Sequence, residues 1–318
     1  MRGQNRNGGI PVETPTSWHR MVDTLYAGSF DKKLDRFRSP YVFRGTTQIW
    51  PLRTSLHRMQ HPPELIPKIE RALRRNFKKY AHSDATAAGD SDWRWLVIAQ
   101  HHGLPTRLLD WTFSPFAALH FATEELEDMD QDGEIWMVDF IETRRWLPES
   151  MLQVLTDDFA WGFSVEMLEK RFPRVEELEV LKGLAPEFVL FFEPPSLDPR
   201  IVNQSGLFSL MNQPHADLGA WLARKTRERP KLAKRVIVPA ALKWEIRDKL
   251  DQMNLTERVI YPGLDGLSKW LKRWYSPKSG TAAPARDATD GERRPTRARK
   301  KKKKTTTTTT TTAEPALG

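Results

Sequence analysis

Residues 99–122 read AQHHGLPTRLLDWTFSPFAALHFA, a run that constrains the fold more than any other stretch. Its first half interleaves Gln100, His101, His102, Thr106, Arg107 and Asp110 with Leu108, Leu109 and Trp111. Burying such polar groups unpaired costs several kcal/mol, so they must stay wet or pair with one another. In the second half, Phe116, Leu119 and Phe121 with interspersed alanines predict a helix that packs closely against a neighbour. A polar network laid beside a well-packed helix is a candidate site.

The chain around this run can bury a large core: 318 residues, 39% hydrophobic, include 12 tryptophans. The absence of cysteine excludes disulfides, a thiolate nucleophile and Cys-based zinc sites, which fits a reducing compartment. A metal would need His and carboxylate ligands. None is expected, because the adjacent His101 and His102 point apart on a helix and have no carboxylate in register. No apolar run reaches the roughly 18 to 20 residues of a membrane span, and the opening MRGQNRNGGI lacks a signal-peptide core. A cytoplasmic protein without membrane contact is expected.

The net charge of +9 is concentrated at the C-terminal end, where residues 276–318 hold 11 Lys and Arg against 4 Asp and Glu. With Arg297, Arg299, lysines at 300–304 and threonines at 305–312, this tail cannot bury enough apolar surface to fold. It is expected to be disordered and to offer weak, salt-dependent attraction to polyanions. A flexible leader at 1–14 and a single domain at 15–275 complete the expected organisation.

Periodicity places a helix after the N-cap Ser17, a strand at 41–45, a basic helix at 62–81 and another at 93–100. Strands follow at 134–140, 187–192, 201–210 and 235–238, then a helix opened by Pro239, a short strand at 257–261 and a last helix at 264–274. Strand and helix do not alternate regularly, and neither a dinucleotide nor a Walker glycine loop is present. The expected class is α+β, with short strands and packed helices in one mixed domain.

The motifs Phe43-Arg44-Gly45, the 99–122 run, Arg200-Ile201-Val202-Asn203-Gln204-Ser205-Gly206-Leu207-Phe208 and Tyr261-Pro262-Gly263-Leu264-Asp265-Gly266-Leu267 occur in that order. Together they resemble the FRG domain, a mostly prokaryotic family named for its Phe/Tyr-Arg-Gly motif, over about residues 40–270. A more distant likeness is to ADP-ribosyltransferases of the Arg-Ser-Glu type. These have a first strand with Tyr/Phe-Arg, a Ser-Thr-Ser strand running into a helix that ends in Phe-Ala, and a catalytic Glu on a late strand. That likeness implies an ADP-ribosyltransferase-like fold, NAD as substrate, and Arg44, Thr112 and Glu257 as catalytic residues. Glu187 and Glu193 are the alternative carboxylates. Here Asp110-Trp111-Thr112 stands where that family has Ser-Thr-Ser, a departure that puts an anion near a diphosphate unless Arg44 or Arg107 neutralises it.

An arginine offers a fixed fork of donors to a diphosphate, and a carboxylate can stabilise the positive charge that develops as nicotinamide leaves. The residues expected to contact the nucleotide are Arg44, His101, His102, Arg107, Asp110, Trp111 and Gln204, with Trp111 able to stack on a flat ring. Each has a structural alternative: Arg44 as Asp110's partner, Arg107 as a loop brace, Thr112 and Ser114 as helix caps, and Gln204 as a turn residue. The expected function is NAD-dependent ADP-ribosyl transfer to a protein or nucleic-acid acceptor, or NAD glycohydrolysis. The alternatives are a noncatalytic module that binds a nucleotide-like small molecule, and nucleic-acid binding through Lys68, Arg71, Arg74, Arg75, Lys78 and Lys79 with the tail.

Overall fold

The computed structural model describes residues 9–81, 89–181, 186–196 and 199–278. In chain order the first half contains β1 (Val12–Glu13), α1 (Trp18–Tyr26), β2 (Phe30–Asp31), β3 (Arg36–Phe37), β4 (Tyr41–Thr46), α2 (Ser55–Arg58), α3 (Ile66–Tyr80), α4 (Asp92–His101), β5 (Leu108–Thr112), α5 (Pro115–Phe121) and β6 (Gly133–Asp139). There follow α6 (Glu149–Asp157), β7 (Phe163–Ser164), α7 (Val165–Arg171), α8 (Glu177–Val180), β8 (Val189–Glu193), α9 (Pro199–Asn203) and β9 (Gly206–Met211). The last elements are α10 (Leu218–Glu228), β10 (Ala233–Val238), α11 (Ala240–Gln252), α12 (Glu257–Ile260) and α13 (Leu264–Trp274). The class is α+β.

Eight strands form one mixed sheet in the order β1-β10-β6-β4-β5-β9-β8-β7, and β2 pairs with β3 separately. The inner ladders are antiparallel, and the two-residue edge strands β1 and β7 pair in parallel with β10 and β8. Alternating side chains point to opposite faces of a strand, and here they sort cleanly. Val42, Leu109, Trp111, Trp136, Val138, Val189, Phe191, Leu207 and Met211 share one core that runs across the sheet and is covered by α10. The opposite face carries two separate cores. One packs Leu108, Leu190, Phe192, Phe208 and Leu210 under α4, α6 and α7; the other packs Tyr41, Phe43, Ile135, Met137, Val236 and Val238 under α1, α5 and α11.

Most of the predicted elements lie near their expected positions, and Ser17 and Ser114 cap α1 and α5 through their side-chain oxygens, whereas α2, α6, α7, α8, α10, β2, β3 and β7 fall where the periodicity predicts none. Four segments differ. Residues 201–210 are not one strand: α9 occupies Pro199–Asn203, Ser205 adopts a positive φ of 46°, and β9 starts at Gly206. Residues 257–260 form a helical turn, because the Glu257 side chain is drawn inward to Arg247 and Arg273. The helix expected at 62–81 begins at Ile66, with a proline in its first turn. Val12–Glu13, expected within a loose leader, adds a strand to β10, and Ile10 is buried beside it. Residues 1–8 of that leader, and the tail from residue 279 with its lysine and threonine runs, lie outside the described residues. Among the described residues no helix is long and apolar enough to cross a membrane.

Candidate functional site

The sheet is weakest at its middle. β4 pairs with β6 over its whole length and β5 pairs fully with β9, yet β4 and β5 meet at one register position, Phe43 opposite Thr112. From Arg44 onward the two strands part, and a cavity of about 380 Å³ opens there, within the size range of small-molecule sites. It lies on the face that carries the two separate cores, with Phe43, Gly45, Asp110, Thr112 and Phe208 in its walls.

The Arg44 guanidinium crosses the gap. Its Nη1 donates to the Asp110 carbonyl oxygen at 2.6 Å and lies 3.5 Å from Asp110 Oδ2. Arg44 keeps 19% of its side chain exposed and Asp110 keeps 58%, so the pair is reachable from solvent. Burial pulls the Arg44 pKa down; the Asp110 charge opposes this, and the nearby Arg58 charge adds to it. Asp110 is held on its other side by Gln100, whose Nε2 donates to both carboxylate oxygens at 3.1 and 3.0 Å. The Thr106 hydroxyl donates to Gln100 Oε1 at 2.5 Å and accepts from the Leu108 amide at 3.1 Å. Its own backbone amide donates to Ser55 Oγ at 3.0 Å. Gln100, Thr106 and Asp110 of the polar half are therefore joined in one chain of hydrogen bonds, as polar groups that cannot be buried unpaired require.

A second lobe of about 280 Å³ adjoins the first, lined by Thr46, Trp50, Arg53, Arg58 and Trp136. Trp136 and Leu52 in its lining belong to the continuous core, while Phe121 and Glu124 come from the end of α5 on the opposite face. Arg44, Gly45, Phe121 and Glu124 line both lobes. Gly45 is required by contact: a Cβ there would collide with the Ala118 carbonyl and lie 2.9 Å from the Ala122 amide, because α5 rests directly on β4.

Glu124, Arg200 and the Tyr261 that links them were not singled out by sequence as site residues. Glu124 follows the Phe121-Ala122 helix end, and its Oε2 accepts the Tyr261 hydroxyl at 2.6 Å. Burial is the main cause that raises its pKa above the ordinary carboxylate range, with the Tyr261 hydrogen bond opposing. Arg200 lines the first lobe, with its guanidinium 4.7 Å from the Tyr261 ring centre. Glu124 alone carries no sequence signal of this kind; the motifs that begin at Arg200 and at Tyr261 marked their regions without assigning either residue to the site.

Of the residues expected at the site, Arg44, His101, Asp110, Trp111, Thr112 and Gln204 border the first lobe. Two of them are otherwise engaged. Trp111 is 3% exposed, donates its indole N–H to Ser209 Oγ at 2.8 Å and packs edge-on against Phe191, so its ring belongs to the core. The buried Thr112 hydroxyl donates to the Gln204 carbonyl at 2.6 Å and accepts from the Ser114 amide at 3.0 Å, which fixes the turn into α5. Gln204 donates from Nε2 to the Ile260 carbonyl at 3.3 Å.

The remaining expectations are corrected. Arg107 does not reach the cleft: it is 2% exposed and paired with Glu70 and Glu179, a buried brace between β5, α3 and α8. His102 is exposed at the end of α4 and is not among the residues that line either lobe. Glu257 lies in a separate buried cluster, where Arg247 Nη2 donates at 3.0 Å and Arg273 Nε at 2.6 Å. Despite burial, these arginines hold its pKa down to about 2. Glu187 pairs with Arg224, and Glu193 ends β8 exposed; neither borders the lobes. On the basic helix, Arg74 is buried between Asp92 and Glu176, which withdraws it from any nucleic-acid surface.

No curated protein and no solved structure matches the chain. A family model does match over residues 39–131, the stretch from just before β4 to the loop after α5, leaving the 200–208 and 261–267 motifs outside it. This stretch supplies Arg44, Gln100, Asp110, Thr112 and Glu124 to the cleft. The chain carries an FRG domain over residues 39–131.

Proposed function

We propose that the chain binds a nucleotide of the NAD type in the cleft between β4 and β5, with Arg44 receiving its diphosphate. The observation that carries this is the gap itself: an arginine that donates to the Asp110 carbonyl with the Asp110 carboxylate 3.5 Å away, where β4 and β5 of the sheet meet at a single register position. Guanidinium N–H groups form charge-assisted bonds to phosphate oxygens, and the cavity is of the size that encloses a small ligand. Calorimetry with NAD and ADP tests the proposal. The intact chain should bind, and Arg44→Ala should weaken binding tenfold or more, the scale of one or two charge-assisted hydrogen bonds. Failure of the intact chain to bind either nucleotide sinks the proposal.

Turnover is a second reading, favoured by the carboxyl groups of Asp110 and Glu124 on the same cavity as Arg44. In it the glycosidic C–N bond of NAD breaks and nicotinamide departs with the electron pair. Water, or a protein or nucleic-acid acceptor, then bonds to the anomeric carbon and releases a proton. A carboxylate stabilises the positive charge in between. Nicotinamide release, abolished by Arg44→Ala, would support turnover; binding without release leaves a noncatalytic nucleotide sensor. The engagement of Thr112 and the remoteness of Glu257 weigh toward binding alone.

A further inference from the structure

Glu124 borders both lobes of the cleft together with Arg44, so a ligand that passes between the lobes passes these two side chains. We infer that Glu124 sets the cleft's specificity by accepting a sugar hydroxyl next to the phosphate held by Arg44, and that Tyr261 is its positioning residue. The inference rests on the nucleotide proposal above and adds the part of the ligand that is recognised and the residue that recognises it.

The setting of Glu124 is built from five elements. It follows α5, whose His120 places Nε2 3.7 Å from Glu124 Oε2. Burial and the Arg247 charge depress the His120 pKa to about 3, so that imidazole is neutral near pH 7 and does not neutralise the carboxyl as an ion pair would. Tyr261, at the end of α12, donates its hydroxyl to Glu124 at 2.6 Å. The Tyr261 ring lies beside two cations, Arg200 of α9 at 4.7 Å and Lys269 of α13 at 4.6 Å from its centre. Lys269, Glu125 and, from α11, Arg247 supply the remaining charges that act on Glu124. One tyrosine thus fixes a carboxyl through its hydroxyl and an arginine through its ring, and both fixed groups line the first lobe.

A carboxyl restrained in this way recognises a donor. It cannot swing out to solvent without giving up the Tyr261 bond, and its second oxygen is the acceptor that a ligand hydroxyl can use. Arg44 demands an anion at the same waist. Anion and hydroxyl side by side are the chemistry of a phosphorylated sugar, which an unphosphorylated base or a bare phosphate lacks.

The test compares ADP with 2′,3′-dideoxy-ADP by calorimetry on the full chain, across pH. The intact chain should prefer ADP by about tenfold or more, the fold-change of one hydrogen bond to a charged acceptor. In Glu124→Gln, nearly the same in shape, the preference should fall below about threefold. Tyr261→Phe keeps the ring and removes only the donated bond that favours the ionised carboxyl. It should shift the pH at which the preference appears upward and leave the circular dichroism unchanged. Binding of ADP with no preference for its hydroxyls, or with the preference intact in Glu124→Gln, overturns the inference and leaves the nucleotide proposal standing. An unmoved pH midpoint in Tyr261→Phe overturns the positioning role. Binding of neither nucleotide by the intact chain overturns both.

Discussion

Gly45 and Arg44 are neighbours with opposite demands: one must have no side chain because α5 lies on it, the other needs a long one to reach across to Asp110. Gly45→Ala is expected to push α5 off β4 and cost about 1–3 kcal/mol, the usual penalty of overpacking, read as a lower urea midpoint. This local logic was visible in the sequence, since Arg44 and Asp110 sit inside recognisable motifs and a polar run among leucines must pair. The fate of Arg107 was not visible. Its partners Glu70 and Glu179 lie 37 and 72 residues away along the chain, and no local pattern reports such distant pairing. Glu257 misled although its partners are closer in sequence, 10 and 16 residues away, because Arg247 and Arg273 reach it from two different helices.

At the scale of elements, β4, β6, β8 and β10 were legible because each alternates between two cores, and α1 and α5 were legible at their polar caps, whereas α7 and α10 were missed although Ser164 and Asp217 cap them. Ser114 shows what such a cap contributes: its Oγ accepts from the Ala117 amide at 3.2 Å at the head of α5, the helix that seats Gly45 and leads to Glu124. Ser114→Ala should cost about 1 kcal/mol and be measurable as a shift in the denaturation midpoint with unchanged slope. Short elements were not legible. α9 and α12 are single turns, and each is fixed by contacts between the two, Asn203 to the Val259 carbonyl at 2.7 Å and Gln204 to the Ile260 carbonyl at 3.3 Å. Their windows are too short for periodicity to separate a turn of helix from a strand.

At the scale of the whole molecule, the buried His120 and Glu257 and the half-buried Asp139 shape the acid response in different windows. His120, held near 3 in the fold against about 6.5 unfolded, takes up its proton only on unfolding, so it removes stability as pH falls from about 6.5 toward 3. Asp139, raised to about 6 mainly by burial, is protonated earlier in the folded state and opposes that loss between about 6 and 4. Glu257, depressed to about 2, contributes stability that is present above about 4.5 and lost below it. Thermal melts should therefore change little between pH 6 and 4.5 and fall steeply below 4, and Asp139→Asn should expose the His120 slope at higher pH. Charge is a second molecular-scale property. The 10 basic residues of 279–318 make deletion from residue 279 onward the change expected to reduce retention on heparin and flatten its salt dependence. Finally, the single Phe43–Thr112 pairing makes the sheet two half-sheets with a seam, sharing a core on one face and divided on the other. In mechanical terms that seam is a hinge line, and anything that ties Arg44 to Asp110 more tightly acts as a clasp across it. Amide exchange along β4 and β5 should then slow in concert when the cleft is filled, while β8 and β10 keep their own rates.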